Sequence, residues 1–82
     1  MKAAIKPDPH LAAAVRRLRH ERGITQEGLA FEANLTVASM SRIERCVTNP
    51  AWTTLQAVST ALGIKPHELA HAAEGAQEGG DK

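Results

Sequence analysis

The chain has little of what builds an aromatic core: one Phe, one Trp and no Tyr in 82 residues. Aliphatic and alanine side chains must therefore fill the interior, which suits closely packed helices. A single cysteine, Cys46, excludes an internal disulfide, so the chain needs no oxidising compartment. No stretch approaches the roughly 18 apolar residues of a membrane span. The first ten residues, MKAAIKPDPH, lack the apolar run of a secretory leader. A cytoplasmic protein with no membrane partner is expected. The alternation of a half-buried strand is missing, as are internal repeats and metal-knuckle spacings. No nucleophile elbow or comparable signature is present. The expected class is thus all-α and not an enzyme, with neither cofactor nor metal. His67 and His71 stand four apart, a spacing that could hold a metal, but only glutamates stand near them.

The length allows one domain with a modest core. The net charge of +1 hides an uneven distribution. Residues 1–22 carry Lys2, Lys6, Arg16, Arg17, Arg19 and Arg22 against Asp8 and Glu21, a net +4. Residues 23–65 balance. Residues 66–82 carry Glu68, Glu74, Glu78 and Asp81 against Lys82, a net −3. A basic front half set against an acidic end is the footprint of a domain that meets a polyanion with one face.

Local signals divide the chain further. Residues 1–7 read as a flexible arm, because Pro7 and Pro9 around Asp8 favour extended backbone. A first helix runs from Asp8 or Pro9 to Arg22, with Leu11, Ala14, Val15 and Leu18 on its apolar side, and Gly23 ends it. Thr25 caps a second helix over 26–33, carrying Leu29, Ala30 and Ala33. Asn34 suits the left-handed residue that closes it. Thr36 caps a third helix over 37–45, with Met40 and Ile43 turned inward. Thr48-Asn49-Pro50 marks a loop. A fourth helix spans 52–62 with Trp52, Leu55, Val58 and Leu62 on one face, and Gly63 stops it. A fifth opens with Pro66 in its first turn and ends near Ala73. The polar, glycine-rich 75–82 is expected to be disordered. Leu18, Leu29, Met40, Ile43, Leu55 and Leu62 are the expected core.

The segment from Gly23 to Cys46, GITQEGLAFEANLTVASMSRIERC, carries the most information. Two short helices joined by one tight turn, with small Ala30 and Ala33 permitting a close crossing, make a helix-turn-helix. Thr25-Gln26-Glu27, Leu29-Ala30, Ile43-Glu44-Arg45, Asn49-Pro50, Leu55 and Ala61-Leu62-Gly63 follow at characteristic spacing. As a set, over about Leu11 to Leu69, they resemble the phage repressor and Cro-like helix-turn-helix family, also called the XRE family. Restriction–modification controller proteins and small phage-type repressors belong to the same circle. The resemblance implies a compact, five-helix, lambda-repressor-like domain over 8–74 that regulates transcription by binding double-stranded DNA.

It also implies roles. The third helix enters the major groove, with Thr36, Val37, Ala38, Ser41 and Arg42 near base edges or adjacent phosphates. Arg42 suits the O6 and N7 of a guanine, and Val37 and Ala38 suit a thymine methyl. Gln26, in the first turn of the second helix, meets a backbone phosphate. Arg17, Arg19 and Arg45 are further phosphate candidates, and Ser39 is short where relatives carry longer side chains. Glu44 is a structural acid for which Arg16 or Arg19 is the expected partner.

Cys46 replaces the usual glycine after the third helix, and Phe31 stands where relatives are polar. Phe31 is expected to pack locally; exposed, it would meet the N-terminal arm, a second subunit or RNA polymerase. One short helix reads few base pairs, so a homodimer on an inverted-repeat operator is expected, joined through Trp52, Ile64, His67, Leu69, Ala70 and Ala73. The alternative is an interaction adaptor or antitoxin of the same fold, bound to a toxin or other protein, with weak or lost DNA binding.

Overall fold

The computed structural model describes residues 6–80. Among them are five helices and no strand: α1 (Pro9–Glu21), α2 (Gln26–Glu32), α3 (Val37–Glu44), α4 (Trp52–Ala61) and α5 (Pro66–Gly80). The all-α class and the helix-turn-helix formed by α2 and α3 agree with the sequence reading.

Capping chemistry sets the starts. The Asp8 carboxylate accepts from the His10 amide at 2.9 Å, with Pro9 in the first turn. Thr25 accepts from the Gly28 amide at 2.9 Å and Thr36 from the Ser39 amide at 3.0 Å. Each hydroxyl thereby satisfies one amide that has no carbonyl partner inside its helix. A methyl group on Gly28 would come within 3.1 Å of the Thr25 hydroxyl, so this glycine leaves room for the cap.

The ends share one device. After α1, α2, α3 and α4 a single residue turns left-handed: Gly23, Asn34, Cys46 and Gly63, with φ of 66°, 60°, 62° and 81°. The next amide then reaches back five residues: Ile24 to Arg19, Leu35 to Ala30, Val47 to Arg42 and Ile64 to Ser59, at 2.8–3.1 Å. These are Schellman closures, each with an apolar residue after the left-handed one. Thus α1–α4 are short because each is closed by its own sequence.

The closures fold the chain around one core. Ala14, Val15 and Leu18 of α1 meet Leu29, Ala30 and Ala33 around the α2 crossing, Met40 of α3, Val58 of α4 with Leu62 just after it, and Leu69 and Ala73 of α5. The broadest packing is α1 against α5. Ala30 is 1% exposed and Ala33 4%, as a close crossing requires.

Several expectations are corrected. Leu55 is only partly buried, because it borders an open groove of about 220 Å³ beside Leu11, Ala70 and Ala73. Trp52 is 60% exposed; it occupies the first turn of α4, beyond the neighbours that cover Val58 and Leu62. Leu69 and Ala73 are 0% and 7% exposed. They close the core of the monomer and are not available to a second copy. α5 runs past Ala73 to Gly80. Of the expected arm, residues 1–5 lie outside the described residues, as do 81 and 82. The arm's last part is tied down: Asn49 Nδ2 donates to the Lys6 carbonyl at 3.0 Å, and the Asp8 amide donates to Asn49 Oδ1 at 3.1 Å.

Candidate nucleic-acid interface

The α3 surface divides as helical periodicity requires. Met40, Ile43 and Glu44 are buried; Thr36, Val37, Ala38, Arg42 and Arg45 are exposed; Ser39 and Ser41 are half-buried. Val37 is 44% exposed, high for a valine.

A chain of polar contacts links three of these residues. The Thr36 hydroxyl donates to Ser39 Oγ at 3.0 Å, and Arg42 Nη2 donates to the same oxygen at 3.4 Å. Ser39 Oγ accepts both, leaving its own proton free for an outside acceptor. Ser39 is therefore more useful than its short side chain suggests. Within the next turn, Arg45 Nε donates to Ser41 Oγ at 3.0 Å. Both serines thus brace an arginine on the exposed face.

Arg42 and Ser39 also form one wall of a cleft of about 230 Å³, whose other wall is the α3–α4 loop and the first turn of α4, including Thr48, Asn49 and Thr54. Ala51 precedes α4 with no side-chain cap, so the first amides of that helix lack the partner that Asp8, Thr25 and Thr36 give to α1, α2 and α3. Sequence reading missed this wall. Thr48-Asn49-Pro50 signals only a turn, and the alanine at the cap position of α4 is the available signal.

Under the exposed face lies a buried ionic cluster. Glu44 is 2% exposed and receives Arg19 in a forked pair, Nε to Oε2 at 2.7 Å and Nη2 to Oε1 at 3.0 Å. Arg19 Nη1 reaches the Ile24 carbonyl at 3.0 Å. Arg16 Nη1 donates to the backbone carbonyl of Glu44. An acid in the last turn of a helix opposes the helix dipole, and these two guanidinium groups offset it. Both expected partners are present, one on the carboxylate and one on the carbonyl. Removing one member of such a buried pair costs about 3–5 kcal/mol. Arg19 is engaged here through Nε, Nη1 and Nη2. Arg17 is exposed but bridges to Glu21 at 3.1 Å, so it is only partly free.

Gln26 is half-buried in the first turn of α2, and its Nε2 donates to Glu44 Oε1 at 3.1 Å. Among the described residues, no group of acids, histidines and cysteine could hold a metal, and no buried side-chain polar atom lacks a hydrogen bond. No described helix is long and apolar enough to cross a membrane.

An exposed, arginine-bearing helix set across a second helix by a Schellman turn is a helix-turn-helix by geometry, and comparison with known proteins agrees. The helix-turn-helix domain family matches residues 10–72. The chain is 38% identical over 64 residues to the HTH-type transcriptional regulator DdrOP3 of Deinococcus deserti, covering 78% of this chain and 50% of the regulator. It is 45% identical over 51 residues to the immunity repressor protein of Bacillus phage phi105, covering 62% of this chain and 35% of the repressor. Its fold superposes on the crystal structure of the restriction-modification controller protein C.AhdI from Aeromonas hydrophila with a TM-score of 0.72. Identity there is 33%, over 74% of this chain and 92% of C.AhdI. The chain belongs to the helix-turn-helix domain family. It spans half or less of the two curated relatives and nearly all of the controller protein.

Proposed function

We propose that this chain is a sequence-specific DNA-binding domain of a transcriptional regulator. The observation that carries the reading is the exposed α3 face, on which Thr36, Val37, Ala38 and Arg42 stand clear of the core and the half-buried Ser39 and Ser41 brace the arginines. A helix of this width fits the major groove. Arg42 reads a guanine, while Val37 and Ala38 lie against thymine methyls. Gln26, Ser39, Arg45 and Arg17 meet the backbone. The first amides of α4, beside Arg42 across the cleft, suit a phosphate oxygen. Such contacts fix register, and base contacts give sequence.

The regulator acts as a homodimer on an inverted repeat. Trp52, His67 and Ala70 are exposed and Ile64 is half-buried at the edge, which supports a dimer surface along α4 and α5 without Leu69 and Ala73. The groove lined by Leu11, Leu55 and Ala70 adds apolar area to it.

A second reading rests on Phe31, 81% exposed on α2. A protein partner, RNA polymerase or a toxin, would cover it. If DNA binding has been lost, that contact is the whole function. Titrating binding to a mixed-sequence duplex with salt separates the two. The DNA reading expects affinity to fall linearly in log–log form, with a slope near −0.9 per phosphate neutralised. An absence of binding at low salt leaves the adaptor reading.

A further inference from the structure

The ionic cluster beneath α3 has a third member that a purely structural ion pair does not need. Glu44 Oε1 accepts from Arg19 Nη2 and from Gln26 Nε2, at 3.0 and 3.1 Å. The contact joins the last turn of α3 to the first turn of α2, across 18 residues of sequence. A carboxylate only accepts hydrogen bonds, whereas a glutamine amide can present either its oxygen or its nitrogen. Glu44 therefore selects one of the two amide orientations, with Nε2 inward. Arg19 in turn pins the carboxylate through both oxygens. The Gln26 nitrogen carries two protons; one is used on Glu44 and the other remains for an acceptor outside.

We propose that Glu44 is a positioning residue for DNA backbone binding: it holds the Gln26 amide so that the free N–H meets a phosphate oxygen at the start of α2. The inference rests on the reading above, in which that end of α2 faces the backbone. It goes further by tying the contact to a buried acid that touches no DNA. A free glutamine loses rotamer freedom when it grips a ligand. Gln26 has lost that freedom before DNA arrives, and preorganisation of this kind favours binding. The device also explains why the buried partner of Arg19 is charged. An amide at position 44 could offer Gln26 either a donor or an acceptor, and both orientations would be satisfied.

The test is a double-mutant cycle on the full chain, with fluorescence anisotropy on a mixed-sequence duplex at low salt and thermal melts to verify folding. Gln26→Ala and Glu44→Gln are each expected to weaken binding about three- to tenfold, the worth of one hydrogen bond. In the Gln26→Ala background, Glu44→Gln is expected to change affinity less than about twofold, as coupling through one contact requires. Equal losses in both backgrounds would mean that Glu44 acts only through general structure, and would overturn the proposal. So would unchanged affinity in Glu44→Gln. If Gln26→Ala alone binds normally, the phosphate reading of Gln26 fails first, which is a distinct result. If Glu44→Gln does not fold, side-chain nitrogen relaxation of the wild-type protein decides. The Gln26 amide is expected to be rigid beside the exposed Gln56 amide, and equal mobility of the two would overturn the proposal.

Discussion

Cys46 sits where the backbone wants glycine, and replacing it should stabilise the protein. Its φ of 62° closes α3, with its own amide on the Ile43 carbonyl at 3.1 Å and the Val47 amide on the Arg42 carbonyl at 2.9 Å. A side chain in this left-handed region costs about 1–2 kcal/mol. Glycine removes that cost but frees the unfolded chain, which returns about 0.5–1 kcal/mol. The thiol is only half-buried and among the described residues has no disulfide partner. Cys46→Gly is thus expected to gain about 0.5–1 kcal/mol, a rise in Tm of about 2–8 °C for a domain of this size. Urea unfolding checks the gain, with a higher midpoint at an unchanged m-value. Cys46→Ala, which keeps the Cβ and the strain, should show no gain. A loss of more than about 0.5 kcal/mol in Cys46→Gly would refute the reasoning, because packing of the thiol would then outweigh the backbone.

Four further outcomes follow from the same geometry. Leu29, 0% exposed, anchors α2 in the core; Leu29→Ala should cost about 2–5 kcal/mol in urea unfolding. Arg42→Ala should relax the preference at one base pair by about 1–3 kcal/mol, read by competition between operators that differ at that pair. Trp52→Glu should weaken self-association in analytical ultracentrifugation while leaving Tm nearly unchanged, since Trp52 is exposed. Leu69→Asp should instead unfold the monomer, and so cannot report on the dimer.

What was legible in the sequence is what local chemistry controls. Thr25, Thr36, Gly23, Asn34 and Gly63 fix the ends of helices through their own side chains or their tolerance of positive φ, and each acts where it was expected. The left-handed Cys46 was legible for the same reason. Periodicity found the inward residues of α1, α2 and α3. It cannot say where a stripe runs out: Leu55, expected in the core, is only partly covered, and Trp52, on the same stripe, is exposed. Nor can a stripe distinguish burial within the chain from burial against another copy. Leu69 and Ala73 were assigned to a dimer and belong to the core, because α5 lies along α1. The contact between Gln26 and Glu44 depends on how two helices cross, and no local pattern records that.

Selection of bound sequences from a random pool of duplex DNA tests the central claim most directly. The account predicts an enriched inverted repeat whose half-sites are centred about one helical turn apart, roughly 34 Å, with a guanine preference that Arg42→Ala removes. Enrichment without inverted symmetry would contradict the dimer, and a pool that emerges as random as it began would contradict the DNA-reading function itself.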